Sequence, residues 1–293
     1  MHSLLLHNGR IVGASEKTLS PGQVGFMNGW GVFSTLRVAD GVLFAFERHW
    51  ARMSKDAGLM RVPMPPSAED FRRDLLSLVD ANQAHNATLR TAIVRNRGGM
   101  FEGTGIDRDI DIIAFTAGLN TWGASVKLSV EEQARHGASR FAGVKITSWI
   151  QNLTWLDRAK SQGCDEVVLL DEHGRVSECT SANIFAVMAD GVFTPPLAAG
   201  CLPGVTRSVI LEELLVPSVP VSERHLELDD LYRAESVFIT STTRELLPVA
   251  SIGGRALNME DAQRAKLQAA FTAYMTSYVS RAASLALQRA YAS

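Results

Sequence analysis

The sequence predicts an α+β fold in two domains, and three observations carry this reading. Strand-like and helix-like stretches are mixed along the chain without the regular alternation of a doubly wound sheet. The N-terminal stretch holds two hairpins, each marked by a tight-turn dipeptide between apolar runs. The length of 293 residues, 46 % of them hydrophobic and 20 % charged, allows a sizeable core and exceeds one typical domain.

In order, Leu4-Leu5-Leu6 and Ile11-Val12 flank Asn8-Gly9, which favours the positive φ angles of a tight turn. A second alternating run, 32–38, turns at Asp40-Gly41 and returns over 42–44. From Glu47 the apolar period lengthens to about 3.6 and puts Trp50, Met53, Ala57 and Met60 on one face, a helix ending near Pro63. Ser67 with Asp70 resembles a capping box for a helix through Leu75, Leu78 and Val79. Strands over 88–95 and 110–116 follow, separated by a glycine-rich loop at 98–105. The pattern breaks at 118–123, so domains of 1–118 and 119–293 are expected. Beyond lie a strand at 126–130, an extended piece at 143–147, a helix over 151–162 and a strand at 166–170. A turn at 171–174, strands at 183–187 and 192–193, and a helix after Pro203-Gly204 come next. Strands at 236–240 and 248–252 and a long helix over 259–288 complete the chain.

With 29 Lys+Arg against 31 Asp+Glu the net charge is −2, and no block of like charge favours nucleic acid or a membrane surface as partner. Apolar runs are short, and Met1-His2-Ser3-Leu4 lacks the start of a signal peptide, so a soluble cytoplasmic protein is expected. Cys164, Cys179 and Cys201 are too few and scattered for a disulfide framework or a structural zinc site; no metal is expected. No His-Glu-x-x-His, P-loop lysine or Gly-x-Ser-x-Gly elbow is present. Gly29-x-Gly31 precedes a hairpin strand where a dinucleotide fingerprint needs a helix.

The informative stretch runs from Lys145, at the end of a short extended segment, to Val176-Ser177-Glu178-Cys179-Thr180-Ser181-Ala182-Asn183-Ile184-Phe185. A lysine partly buried there would lose hydration in its charged form, and a neutral amine is what Schiff-base chemistry requires. Taken singly, Lys145 reads as an ordinary strand-end surface lysine and Glu178 as a solvated turn residue. Together with Gly163-x-x-Glu166, Leu202-Pro203-Gly204-Val205-Thr206-Arg207 and Thr240-Ser241-Thr242-Thr243-Arg244-Glu245-Leu246-x-Pro248-Val249 they form a longer pattern. In the N-terminal half it continues through Asn8-Gly9, Gly29-x-Gly31-Val32-Phe33, His49-x-x-Arg52-Met53 and Arg97-Gly98.

This ordered set resembles the fold type IV pyridoxal-phosphate enzymes: branched-chain aminotransferases, D-amino acid aminotransferases and aminodeoxychorismate lyases. The resemblance implies a two-domain α+β fold with pyridoxal 5'-phosphate in the interdomain cleft and a homodimer. Lys145 matches the lysine that holds the cofactor and shuttles the proton, and Glu178 the carboxylate facing the pyridine nitrogen. Arg52 matches the phosphate arginine; Gly204, Val205 and Thr206, opening a helix, and Ser241 and Thr242, after a strand end, would add donors. Ser181, Ala182 and Asn183 fall in the cofactor-binding motif. For substrate the candidates are Phe33, Thr35, Arg37, Arg97 and Trp149, with either arginine available as a carboxylate clamp.

Two departures bear on specificity. Branched-chain enzymes carry Phe-Glu-Gly-x-Arg in the second hairpin, whereas Phe33-Ser34-Thr35-Leu36-Arg37 is nearer the lyase style. Ser148-Trp149 stand where relatives have Asn and, in branched-chain enzymes, a Tyr that contacts the ring hydroxyl. The leading expectation is ping-pong transamination between an aliphatic, including branched-chain, amino acid and a 2-oxo acid such as 2-oxoglutarate. Pyruvate elimination from aminodeoxychorismate and D-amino acid transamination are the alternatives within the family. A cofactor-free binding protein is the alternative outside it.

Overall fold

The computed structural model describes residues 1–100, 102–103 and 106–292, the last eight by backbone alone. Phe101, Thr104 and Gly105 of the glycine-rich loop lie outside the described residues. Contacts divide the chain into two compact units. One holds Met1–Asn120, Lys145–Trp149 and the chain from Met275 onward; the other holds Thr121–Val144 and Ile150–Tyr274. The segment carrying Lys145 therefore groups with the first unit, not with the residues after 118 as expected.

The first unit opens with β1 (Leu4–His7) and β2 (Arg10–Gly13), joined through Asn8 at φ 49° and Gly9 at φ 77°. A helical turn that periodicity did not signal, α1 (Val24–Asn28), leads into β3 (Gly31–Ala39), β4 (Val42–Leu43), α2 (Phe46–Met60) and α3 (Ala68–Ala81). Ser67 Oγ accepts from Asp70 N at 3.1 Å and caps α3, which is the serine half of the expected capping box. With β5 (Ala87–Arg95) and β6 (Ile110–Ala117) the strands form an antiparallel sheet in the order β2-β1-β6-β5-β3-β4. Val32, Leu36 and Val38 of β3 and Leu89 and Ile93 of β5 bury against Met53 and Ala57 of α2 and Leu75 and Leu78 of α3. Period-two alternation sends Phe33, Thr35 and Arg37 to the opposite face.

Beside β4, the free edge of β3 is taken by the lysine segment. Ile146 bridges Val32, Phe33 N donates to Lys145 O at 3.1 Å, and Thr147 N donates to Gly31 O at 2.9 Å. The approach needs a bare backbone. A Cβ on Gly31 would stand 2.7 Å from Ile93 O and 3.0 Å from Thr147 Oγ1, and Gly29, at φ 63°, lies directly against Ser148.

Fully buried Asp111, at the start of β6, gathers the ends of several elements. It accepts from His7 Nε2 at 2.7 Å, Asn8 Nδ2 at 2.6 Å, Asn96 Nδ2 at 2.8 Å and Arg108 Nε at 2.7 Å, and from Gln23 at the N-cap of α1. Burial alone would raise its pKa, but Arg108 and the amide and imidazole donors outweigh that and hold it below the ordinary value.

The second unit comprises β7 (Val126–Glu131), α4 (Ile150–Ser161), β8 (Glu166–Leu170), β9 (Val176–Cys179), β10 (Asn183–Met188) and β11 (Gly191–Thr194). Then come α5 (Val205–Glu212), β12 (Val221–Glu223), α6 (Leu228–Arg233), β13 (Ser236–Ser241), β14 (Glu245–Ile252) and β15 (Arg255–Ala256). Its mixed sheet runs β12-β11-β10-β13-β14-β7-β8-β9, with β15 beside β14. Strand β9 shows no alternation in the sequence, because polar Ser177 and Glu178 are buried along with Val176 and Cys179. Helix α7 (Ala262–Ala292) closes the chain; its later part joins the first unit, where Tyr278 donates its hydroxyl to Glu47 at 2.7 Å and meets Phe44 edge-on.

Because the folded pKa of Asp111 is depressed, the stability it contributes is present above its unfolded value, near pH 4, and is lost as pH falls through the lower folded value. Asp111→Ala should destabilise the protein by roughly 3 kcal/mol at neutral pH, by leaving several buried donors without an acceptor. Urea unfolding between pH 7 and pH 3 checks this. The wild-type advantage over Asp111→Ala should shrink on acidification, and a constant difference would refute the assignment.

Candidate functional site

In the first unit, α2 presents His49, Arg52 and Asp56 at i, i+3 and i+7, on one face and towards Ser34 of β3. Arg52 Nη2 donates to Ser34 Oγ at 2.9 Å, and Ser34 Oγ lies 2.8 Å from His49 Nδ1. Asp56 Oδ2 accepts from the Lys145 backbone N–H at 3.1 Å, so the same helix that carries Arg52 positions the start of the lysine segment. Burial pulls Arg52 down to about 10 against the opposing Asp56 charge. Burial, then the charges of Arg52 and Lys145, lower His49 well below its ordinary value. Asp56 is raised by burial despite the Lys145 N–H and the neighbouring cations. Arg52 thus carries its charge in a water-poor place beside Asp56, with the Lys145 charge also felt there, an electrostatic setting that suits an anion.

On the other face of β3, Lys145 Nζ stands 4.5 Å from the centroid of the Phe33 ring, and Trp149 meets that ring edge-on at 6.4 Å. Thr35 is paired across the sheet with Arg90, whose guanidinium lies 4.1 Å from the Phe33 centroid and whose pKa burial lowers. Arg37 completes the row, its Nε buried without a hydrogen-bond partner among the described residues. Phe33 and Trp149 are therefore brought together with Lys145, and Thr35 and Arg37 follow along the same face of β3. Arg97 is not: its side chain is half exposed and pairs with Glu102 at 3.4 Å and Asp109 at 3.7 Å. Arg90 was missed. Its signal lay in register, since a strand of Thr88, Arg90 and Ala92 set antiparallel to Phe33, Thr35 and Arg37 puts a second arginine on that face.

In the second unit, Glu178 is anchored at both oxygens: Arg135 Nε donates to Oε1 and Leu202 N to Oε2, each at 3.0 Å. Arg135, in turn, reaches Asn152 Oδ1 at 3.2 Å. Nothing in the motif spacing marked Arg135, which sits in a loop after β7. Asn183 Nδ2 donates to Leu202 O at 2.8 Å, so this peptide is held from both sides before Gly204 begins α5. A Cβ on Gly204 would run into Asn183 Oδ1. Buried Val205 and Thr206 occupy the first turn of α5, where N–H groups have no acceptor within the helix. Ser241 ends β13, its Oγ accepting from Arg244 N at 3.2 Å, and Thr242 follows it.

The Ser181 hydroxyl serves a different purpose. It donates to Glu166 and accepts from Arg244 Nη1 at 2.9 Å, beside the buried Arg244–Glu166 pair at 3.4 Å. That pair, stacked on Trp122 with Arg244 4.0 Å from the ring centroid, absorbs the Glu166 and Arg244 motif positions into structure. Ala182 is packed in the core beside it.

Each unit by itself offers groups whose chemistry suits part of a phosphorylated pyridine aldehyde. His49 Nε2 is a buried polar atom with no partner among the described residues, close to the Arg52 charge. The backbone at the start of α5 is kept bare by glycine, and Glu178 is a carboxylate held in place on both oxygens.

The class IV amino-transferase family model matches residues 31–252. The D-alanine aminotransferase of Bacillus licheniformis is 26 % identical over 262 residues, covering 86 % of this chain and 89 % of that protein. The branched-chain-amino-acid aminotransferase of Pseudomonas aeruginosa is 26 % identical over 238 residues, covering 78 % and 77 %. The fold is that of the branched-chain amino acid aminotransferase of Escherichia coli, with a TM-score of 0.85 at 24 % identity over 95 % of this chain and 96 % of that one. With most of its length matched by the family model, the chain belongs to the class IV aminotransferases, enzymes whose cofactor is pyridoxal 5'-phosphate.

Proposed function

We propose that this aminotransferase moves an amino group between an aliphatic amino acid, branched-chain ones included, and a 2-oxo acid such as 2-oxoglutarate, in two half-reactions. The observation that carries this reading is the face of β3 on which Lys145 Nζ, Phe33, Thr35, Arg37, Arg90 and Trp149 gather. The two rings offer an apolar wall for an aliphatic side chain. The two guanidinium groups offer donors for the carboxylates of an amino acid and of a dicarboxylic oxo acid. A carboxylate beside Arg90 would offset the hydration that its burial removes.

Bound pyridoxal phosphate supplies an electron sink for the charge left when the Cα proton departs. The chain's residues do the rest. Lys145 Nζ holds the cofactor and carries the proton, with Phe33 against it to exclude water. Glu178, oriented by Arg135 and Leu202 N, presents a fixed negative charge to the pyridine nitrogen. On the family resemblance, Arg52 of the first unit and, in the second, the first turn of α5 with Thr206, and Ser241 and Thr242, would hold the phosphate. A homodimer in the cytoplasm belongs to the same reading on the family resemblance alone. No helix among the described residues is long and apolar enough to cross a membrane.

Pyruvate elimination competes as a reading because Thr35 and Arg37 follow the lyase style. One assay separates the two. Leucine or valine with 2-oxoglutarate should yield glutamate, whereas pyruvate released from aminodeoxychorismate without an oxo-acid acceptor would replace transfer by elimination; D-amino acids as donors test handedness. The purified protein should be yellow, with a band that borohydride abolishes. Lys145→Ala should lose that band and at least about a thousandfold in turnover. Arg90→Met should raise the KM for 2-oxoglutarate about 10- to 100-fold and leave that for a monocarboxylic oxo acid within a few-fold. Equal effects on both acceptors would remove Arg90 from distal carboxylate recognition.

A further inference from the structure

Ser34 is fully buried, and its single hydroxyl meets two groups, Arg52 Nη2 at 2.9 Å and His49 Nδ1 at 2.8 Å. An arginine can only donate, so Ser34 accepts from Arg52 and its own hydrogen is directed to His49 Nδ1. Were the direction at His49 reversed, the serine hydrogen would have no acceptor in this bond pair, a costly arrangement for a buried hydroxyl. A neutral imidazole that accepts at Nδ1 carries its hydrogen at Nε2. Burial together with the Arg52 and Lys145 charges keeps the ring neutral. The result is an N–H donor on a side chain only 1 % exposed, with no partner among the described residues. An unmet donor this deeply buried, coupled through one hydroxyl to an arginine, suits an anion shared by both.

We propose that His49 is a second phosphate ligand beside Arg52, donating from Nε2–H to the cofactor's phosphate, with Ser34 setting its tautomer and holding the arginine. This rests on the assignment of Arg52 to the phosphate in the proposed function. The ligand chemistry is a phosphate monoester dianion, so the effect must follow the phosphate and not the pyridine ring.

The test compares the affinity of the apoprotein for pyridoxal phosphate and for pyridoxal, which lacks the phosphate, across His49→Ala, His49→Asn and His49→Gln. Asn places an acceptor near the position of Nδ1 but no donor at Nε2, whereas Gln places an amide N–H near Nε2. His49→Ala and His49→Asn should weaken pyridoxal phosphate about tenfold and leave pyridoxal unchanged, with His49→Gln recovering most of the loss. Recovery by Asn and not by Gln, or equal losses for both ligands, would overturn the proposal. Should the variants fail to fold, the wild-type apoprotein decides by nitrogen NMR. Inorganic phosphate must shift the His49 Nε2–H resonance, and an unmoved resonance overturns the assignment. Wild-type protein that binds neither pyridoxal phosphate nor inorganic phosphate would instead remove the functional reading beneath it.

Discussion

The pairing of residues 145–147 with the start of β3 is the constraint on which the first unit's chemistry depends. Two backbone hydrogen bonds and one bridge set Lys145 at the sheet edge. Asp56 accepts from the lysine's own backbone N–H. The approach is possible because Gly29 and Gly31 carry no Cβ, and a backbone carbonyl on β5 leaves no room for one at Gly31. A lysine on a free loop would sample many positions, whereas strand pairing holds its Cα and leaves only the side chain to move.

Alternation along β3 then divides the labour. Ser34 points to the helices, where it joins Arg52 to His49, while Phe33 and Thr35 point to the other face, where Lys145 Nζ and Arg90 lie. Adjacent residues of one strand thus serve opposite sides of the sheet, and a one-residue slip in register would exchange them. Full pairing with β5 from Gly31 to Val38 opposes that slip.

Buried charge is used in two ways. Glu166, which accepts from Ser181 and Arg244, and Asp111, which accepts from several donors, act as joints between elements. The Arg52 and His49 group differs, since His49 Nε2 is buried with no partner among the described residues. Satisfied networks rigidify, and an unsatisfied buried donor is costly unless a ligand meets it. The same contrast separates Ser181, committed to Glu166, from the first turn of α5, whose N–H groups have no acceptor within the helix.

The sequence by itself determined both hairpins, the helices α2 and α3 with their faces, the capping serine, and most strands of the second unit, because each is written in local period and turn chemistry. It also held the order of motifs that identifies the family. The residues that surround the candidate groups were decided by tertiary structure alone. Arg90 reaches Phe33 only through strand register, Arg135 reaches Glu178 from a loop distant in sequence, and Ser181 is claimed by Arg244 from beyond β13. Arg97, attractive as a strand-end arginine, is drawn off by Glu102 and Asp109. Lys145 groups with the first unit because its carbonyl accepts from Phe33 N and the next residue, Ile146, bridges Val32 of β3. The physical reason is common to all of these. Periodicity reports which face of an element is apolar, whereas the partner of a buried charge depends on which elements pack together, and that is fixed by backbone pairing between residues far apart in the chain.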